Sequence, residues 1–268
     1  MTTTFIGGGN MATALIGGML ARGAAIDELR VVEPLAEARE RLAGRFSGIA
    51  VHDESTREAV AGADLVVLAV KPQQMRQAAE ALAPHLACIG APVVLSIAAG
   101  IRLSDLARWL HGYGRLVRAI PNTPALVGKG ISGVFAAASV DAAGRALVSS
   151  VLAAAGEQVW VENEPMLDAV TAVSGSGPGY VFYFLEALEA AARDLGFAPA
   201  DARRLAYATF AGAVALGEAS TAEPAALRAQ VTSKGGTTER AVAAMEADAV
   251  KAAALRAVEL GDAFGRDA

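Results

Sequence analysis

The chain has 268 residues, of which 54% are hydrophobic and 19% are charged, and its formal net charge is −5. This length predicts one large domain or two modest ones, and the apolar content excludes an intrinsically disordered chain. The acidic balance argues against a nucleic-acid partner, which normally requires a basic face. A single cysteine, Cys88, excludes an intrachain disulfide, and with three scattered histidines it predicts no metal site.

One early stretch, Phe5–Leu20, has the length of a signal-peptide core. No Lys or Arg precedes it, and it contains Asn10 and several glycines, which suit a turn better than a membrane helix. Elsewhere no run approaches the ~18 uncharged apolar residues that a membrane span needs. We therefore expect a cytoplasmic protein without a membrane partner.

Short runs rich in Val, Ile and Leu alternate with helical patterns up to Glu162, which predicts a parallel, doubly wound α/β sheet. The predicted strands are Thr3–Ile6, Leu29–Glu33, Ile49–His52, Leu65–Val70, Val93–Ala98, Leu116–Ile120, Ile131–Ala136 and Val159–Glu162. The predicted helices between them are Met11–Arg22, Ala36–Ala43, Gln73–Leu82 and Leu103–Leu110.

After Glu162 only helical patterns follow, so we place a domain boundary there, with residues 1–162 and 163–268 as the two domains. The predicted helices are Pro165–Val173, Tyr180–Leu195, Ala200–Glu218, Ala225–Val231, Thr238–Glu246 and Val250–Phe264. The stretch Leu205–Gly217 is apolar on nearly all sides and must be buried all round. A short helical domain can hardly enclose such a helix, so a second copy of the chain is expected to cover it.

The first strand leads into a glycine-rich turn and a helix, in which Gly7, Gly9 and Ala12 match G-x-G-x-x-A. The first glycine permits a tight turn, the second lets the backbone approach a pyrophosphate, and the small third residue allows close packing of helix and strand. In this strand–turn–helix context the motif predicts a Rossmann-like dinucleotide site in the first domain.

The second predicted strand ends at Glu33, where an acid normally binds the adenosine ribose and favours NADH. Arg39 or Arg41 could offset the repulsion between the Glu33 carboxylate and the 2′-phosphate of NADPH. Alternatively, Glu33 is a solvated loop residue before Pro34. The fourth strand delivers Lys71 to the carboxyl edge of the sheet, where ligands of such sheets bind. Its alternative role is that of a surface lysine.

Three further turns are candidates for ligand contact or for a structural role. Ser96–Gly100 leaves room for a flat ring against the backbone, whereas Pro121–Pro124 is interpreted as a structural turn. Ser174–Gly179 predicts a helix break, which is either a ligand-contact loop or a close helix crossing.

The segment Val231–Glu239 places two glycines and two threonines at the start of a helix, so that several backbone amides converge. Such a nest binds a carboxylate or a phosphate, and the alternative is an ordinary threonine cap. Lys234 precedes the glycines, which excludes a P-loop. The residues alone therefore predict a nicotinamide-dependent enzyme acting on a small anion.

Five segments together resemble the pyrroline-5-carboxylate reductase family over essentially the whole chain. They read FIGGGNMA, LAVKPQ, RAIPNTPALVGKG, DAVTAVSGSGPGYVF and VTSKGGTTERAV. The resemblance implies reduction of 1-pyrroline-5-carboxylate to L-proline with NADPH, NADH being plausible because of Glu33. It also implies a homodimer with intertwined C-terminal helices, which in this family often assembles into a pentamer of dimers.

The resemblance also implies site residues. Thr238 is expected to bind the ring nitrogen and to be catalytic. The residues expected at the substrate are Glu164, Ser233, Gly236, Thr237 and Thr238. Together with the motif residues above, those expected at the cofactor are Ile6, Gly7, Gly8, Gly9, Asn10, Met11, Glu33, Thr56, Ala69, Val70, Lys71, Pro72 and Ala98.

Three positions depart from the usual family pattern: Thr56, Gly179 and Glu33-Pro34. Thr56 replaces an asparagine near the ribose, and its alternative role is a helix cap. One alternative function is a β-hydroxyacid dehydrogenase, but that family needs a lysine on the long helix, and Tyr180–Leu195 contains none. The other is a non-catalytic nucleotide-sensing protein, which would not need the hydroxyl-bearing nest.

Overall fold

The computed structural model describes residues 1–86 and 90–247. They form two compact units, residues 1–176 and residues 177–247, which are considered separately. Cys88 and the predicted helix Val250–Phe264 lie outside the described residues.

The first unit contains one sheet covered by helices. Its strands are β1 Thr3–Ile6, β2 Leu29–Val32, β3 Ala50–His52, β4 Leu65–Leu68, β5 Val93–Ser96, β6 Leu116–Ile120, β7 Gly130–Ala136 and β8 Gly156–Trp160. Its helices are α1 Asn10–Ala21, α2 Ala36–Arg45, α3 Arg57–Val60, α4 Pro72–Leu86, α5 Leu103–Trp109, α6 Ala142–Leu152 and α7 Met166–Val170. It also contains 3₁₀ turns at Ile26–Glu28 and Thr123–Val127 and a π-helical turn at Thr171–Gly175.

The strand order is β3-β2-β1-β4-β5-β6-β7-β8, which confirms the doubly wound α/β fold. All neighbouring strands are parallel except β6 and β7, which run antiparallel, so the prediction of a wholly parallel sheet was wrong at this pair. Only residues 121–129 connect these strands, and a parallel crossover needs a dozen or more residues.

Most predicted elements lie within a few residues of the observed ones, but two regions differ. The last strand begins earlier than predicted, at Gly156, and helix α6 was not predicted at all. A local signal for α6 was present, because the Asp141 side chain caps the helix by accepting a hydrogen bond from the Gly144 amide at 2.8 Å.

Each face of the sheet packs against its own helices. One face packs against α1 and α6, and the other packs against α4 and α5. Strand β4 has no solvent-exposed surface, as its continuous apolar run requires. Among the described strand residues that are buried, the charged one is Arg118 in β6, whose side chain is only 1% exposed.

Residues 163–176, which the sequence assigned to the helical domain, belong to the first compact unit. Helix α7 contacts β6 and β7, and its Leu167 is fully buried. This segment is therefore fixed to the sheet, close to the end of β6.

The second unit contains α8 Gly177–Asp194, α9 Pro199–Glu218, α10 Pro224–Gln230 and α11 Thr237–Ala247. Helices α8 and α9 pack together, with the Phe184 and Phe210 rings 6.3 Å apart. Within one chain α9 buries only a stripe of small residues, and the expected all-round burial is not reached. Val214 is 58% exposed and Leu216 is 62% exposed. No described helix has the length and apolar character needed to cross a membrane.

Candidate functional site

The carboxyl ends of three adjacent strands meet at one edge of the sheet. The last residues of β1, β4 and β5 lie side by side, because Ile6 pairs with Leu68 and Leu68 pairs with Ser96. The loops that follow therefore neighbour one another, and the Ala69 amide donates to Ile6 O at 2.8 Å. Most residues predicted to bind the cofactor lie at or next to this edge: Ile6–Met11, Glu33, Ala69–Pro72 and Ala98.

The glycine turn after β1 has the shape of a phosphate cradle. Gly7 has φ +99°, and a Cβ added there would lie 2.9 Å from Ala69 O, so this position requires glycine. A Cβ added at Gly9 would have no neighbour within 4 Å, which leaves space in front of α1. Gly9 is the N-cap and offers no side chain to the first turn, while Ala12 is fully buried. The residues present thus fit a pyrophosphate at the N-terminus of α1.

Glu33 is an internal brace of this turn rather than a solvated residue, since it is only 8% exposed. One carboxylate oxygen accepts the Gly8 amide at 2.9 Å, and the other accepts the Leu35 amide at 3.0 Å. Arg39 donates to the carbonyl oxygens of Glu33 and Pro34 at 2.9 and 2.7 Å. The Glu33 carboxylate therefore fixes the phosphate loop, and Arg39 fixes the residues that follow β2.

The remaining predicted cofactor residues have different local roles. Thr56 is exposed and caps α3, accepting the Ala59 amide at 3.2 Å, which confirms the capping interpretation of its side chain. Lys71 is exposed at the sheet edge, and α4 begins at Pro72, one residue before the predicted start at Gln73. Ala98 is 5% exposed, so the loop after β5 lies close against the sheet.

The proline-rich turn after β6 is structural, as predicted. The Asn122 amide nitrogen donates to Ser174 O at 3.0 Å, and its side-chain oxygen accepts the Ile131 amide at 2.9 Å. The helix is interrupted within the predicted break at Ser174–Gly179, because a π-helical turn at Thr171–Gly175 follows α7, Ser176 is a bend, and α8 begins at Gly177. The Ser176 amide donates to Thr171 O at 2.8 Å. Asn122 thus fixes this turn to the end of β6.

Glu164 belongs to a cluster of charged residues that the sequence reasoning missed. Its Oε1 atom accepts hydrogen bonds from Arg118 Nη1 at 2.6 Å and from the Leu103 amide at 2.7 Å. Arg102 pairs with Asp168 at 2.6 Å. The available signal was Arg118 itself, which is a charged residue within an otherwise apolar strand sequence.

The predicted anion nest lies in the second unit, at the start of α11. Gly235 has φ +75°, and its amide donates to the Glu239 carboxylate at 2.7 Å. Thr237 and Thr238 occupy the first turn of α11, where backbone amides have no intrahelical partner. Ser233 closes the turn, because its carbonyl oxygen accepts the Gly236 amide at 3.0 Å. A carboxylate thus already binds one amide of this turn.

The residues predicted at the substrate fall in both units. Glu164 lies in the first unit, whereas Ser233, Gly236, Thr237 and Thr238 lie in the second.

Family models match both parts of the chain. A model described as pyrroline-5-carboxylate reductase dimerisation matches residues 164–263, and one described as coenzyme F420-dependent NADP oxidoreductase matches residues 2–100. A pyrroline-5-carboxylate reductase of Pseudomonas aeruginosa is 44% identical, covering 98% of this chain and 97% of its own. That of Escherichia coli is 36% identical, covering 95% of this chain and 93% of its own.

Solved structures agree with these matches. A pyrroline-5-carboxylate reductase from Coxiella burnetii has a TM-score of 0.88 at 34% identity, covering 99% of this chain and 97% of that chain. A pyrroline carboxylate reductase from Plasmodium falciparum, solved with NADP bound, has a TM-score of 0.86 at 24% identity. It covers 99% of this chain and 98% of that chain, and at this identity it shows the shared fold.

Proposed function

The chain belongs to the pyrroline-5-carboxylate reductase family, and we propose that it reduces the C=N bond of 1-pyrroline-5-carboxylate to give L-proline. This reaction is the last step of proline biosynthesis. The observation that carries the proposal is 44% identity to a curated reductase over 98% of the chain, because that match includes both compact units. The NADP-binding family model and the glycine turn support NADPH as the hydride donor, with NADH as a plausible second donor.

The cofactor site is assigned to the carboxyl edge of the sheet. The backbone of residues 7–11 and the N-terminus of α1 would hold the pyrophosphate, while residues 69–72 and Ala98 would line the rest of the site. When bound, NADPH supplies the hydride for the imine carbon. The chain itself contributes a preformed turn, whose shape is fixed by the hydrogen bonds from the Gly8 and Leu35 amides to the Glu33 carboxylate.

The substrate carboxylate is assigned to the turn of Gly236, Thr237 and Thr238, where the amides of Thr237 and Thr238 lie in the first turn of α11 and the Gly236 amide donates to Ser233 O. Glu239 supports this assignment, since it shows a carboxylate oxygen 2.7 Å from a neighbouring amide of the same turn. The Thr238 hydroxyl would hydrogen-bond the ring nitrogen, orient the C=N bond and relay the proton that nitrogen gains on reduction. Ser233 and Glu164 complete the assigned set.

We further propose a homodimer formed through the C-terminal helices, with a pentamer of dimers as the larger assembly. The dimerisation model over residues 164–263 and the exposed apolar residues of α9 support the dimer. Light scattering of the purified protein would give the mass directly. A monomer at micromolar concentration would refute the dimer, and a mass of ten chains would support the larger assembly. The cytoplasmic location stays a prediction.

A substrate comparison tests the proposed activity. In one assay, purified protein would be mixed with 1-pyrroline-5-carboxylate and NADPH or NADH. In the other, it would be mixed with a panel of β-hydroxyacids and the oxidised cofactors. Cofactor absorbance would be followed in both. We expect turnover with the imine alone. Turnover of a hydroxyacid would instead favour the dehydrogenase alternative, although α8 contains no lysine. Cofactor binding without turnover of any substrate would favour the nucleotide sensor.

A further inference from the structure

Both ends of the loop formed by residues 97–102, called the 97–102 loop, are tied to β6. At its start, Ser96 is the last residue of β5 and pairs in the sheet with Arg118. At its end, Leu103 begins α5, and its amide donates to Glu164 Oε1 at 2.7 Å. Arg118 Nη1 donates to the same oxygen at 2.6 Å. The two ends of the loop are therefore connected through Arg118, which pairs with Ser96, and Glu164, which binds both Arg118 and the Leu103 amide.

The burial of Arg118 makes this contact costly to maintain. Its side chain is 1% exposed, and its Nε atom has no hydrogen-bond partner in the described part of the chain. Burial lowers the pKa of Arg118, and the hydrogen bond to Glu164 acts in the opposite direction. A buried ion pair usually contributes little more stability than apolar residues of the same volume, so stability alone does not account for it.

A second ion pair reinforces the same place. Arg102, the N-cap of α5, pairs with Asp168 at 2.6 Å, and the two side chains are 32% and 18% exposed. Two carboxylates of the 163–176 segment thus hold the start of α5. Of these two ion pairs, however, only that of Arg118 and Glu164 includes a residue of the sheet.

We propose that Arg118 is a positioning residue: it holds Glu164 against the start of α5 and thereby fixes the 97–102 loop. That loop contains Ala98, where the nicotinamide ring is expected, so this part of the inference rests on the proposed function.

The first test uses the chain without cofactor or substrate. Amide hydrogen exchange would be measured for peptides covering residues 97–106 in the wild type, in Arg118→Met and in Arg115→Met. Arg115 is the matched control, because it precedes β6 at the opposite end and pairs with Asp141 at 3.6 Å. We expect exchange of this segment to rise about tenfold in Arg118→Met alone. Unchanged exchange in a folded Arg118→Met protein would overturn the proposal.

The second test compares NADPH with 2′,5′-ADP, which lacks the nicotinamide half. We expect Arg118→Met to weaken NADPH binding about tenfold, to leave 2′,5′-ADP binding near its wild-type value and to lower kcat about tenfold or more. Arg118→Lys should recover part of each loss. Equal weakening of both ligands would indicate general destabilisation and would refute the positioning role.

A double variant covers the case in which Arg118→Met does not fold. Arg118→Met/Glu164→Leu removes both charges, a replacement that proteins often tolerate without loss of stability. Because Glu164→Leu itself removes the acceptor of the Leu103 amide, the readout here is residues 97–102: rapid exchange of this loop in the folded protein would support the proposal, and wild-type protection there would overturn it. If the wild type binds NADPH but does not reduce 1-pyrroline-5-carboxylate, the proposed function fails while the exchange experiment still decides the role of Arg118.

Discussion

Two glycine turns, residues 7–9 and residues 235–236, use the same contact in different surroundings. In each, a glycine amide donates to a glutamate carboxylate: Gly8 to Glu33 at 2.9 Å, and Gly235 to Glu239 at 2.7 Å. Glu33 lies 25 residues away in sequence and is 8% exposed. Glu239 lies four residues away, on the helix that the turn precedes, and is exposed.

The first turn is therefore held by a residue from another part of the folded domain, whereas the second is held by a residue of the helix that follows it. Glu33 binds two backbone amides from different segments, so the first turn has its shape as soon as the sheet has formed. Glu239 binds within one turn of helix, in the manner of a capping side chain, and water can replace it. We therefore expect substitutions in the first turn to have larger effects than equivalent changes in the second.

The largest effect is expected from Gly7→Ala. The alanine would have to adopt φ +99°, with its Cβ 2.9 Å from Ala69 O. Positive φ alone costs a non-glycine residue ~1–2 kcal/mol, and with the added clash we expect NADPH affinity to fall about 100-fold. Fluorescence titration would measure the Kd.

Gly9→Ala is the matched variant for that experiment, because its Cβ has no neighbour within 4 Å in the chain. We expect its Tm to stay at the wild-type value while NADPH binding weakens, since the methyl group occupies the space expected for the pyrophosphate. Wild-type NADPH binding by Gly7→Ala would show that the cofactor binds elsewhere.

The next largest effect concerns the second turn. Thr238→Ala removes the hydroxyl proposed to orient the ring nitrogen, and positioned proton transfer is typically worth ~10²–10⁴-fold. We expect kcat to fall about tenfold or more, with NADPH affinity unchanged and partial recovery in Thr238→Ser. Thr232→Ala is the control, because that hydroxyl donates to the Arg228 carbonyl oxygen at 2.6 Å. Unchanged steady-state turnover in Thr238→Ala would remove Thr238 from the chemistry.

A smaller effect is expected from Glu33→Gln. The amide can still accept one hydrogen bond but places an NH₂ group opposite the other backbone donor, and it loses the charge assistance worth ~1 kcal/mol. We expect about fivefold weaker binding of NADPH and NADH alike. If Glu33 instead selects between cofactors through the ribose, NADPH would bind more tightly and only NADH would weaken. Parallel titrations distinguish these outcomes.

The sequence predicted much of this molecule because local patterns determine much of it. The apolar run of β4, the glycine turn and the start of α4 at Pro72 each depend on neighbouring residues. The contacts of Glu164 could not be predicted in this way, since its partners Arg118 and Leu103 are 46 and 61 residues away. For the same reason Glu33 was read as a ribose ligand or a solvated residue, and its bond to Gly8 was missed.

The smallest effect is expected from Glu239→Gln. The Gly235 amide keeps an acceptor, and both side chain and turn are exposed, so water can complete the contact. A capping side chain contributes ~0.5–2 kcal/mol, and the amide should retain most of that. We expect the KM for 1-pyrroline-5-carboxylate to change about twofold or less, with Tm nearly constant, in steady-state kinetics at saturating NADPH.

The opposite outcome would be competition between two carboxylates for this turn, because Glu239 accepts a hydrogen bond from the Gly235 amide, in the same turn as the amides assigned to the substrate carboxylate. A KM several-fold below the wild-type value would show such competition, and the second turn would then be preformed around its own glutamate, as the first turn is around Glu33.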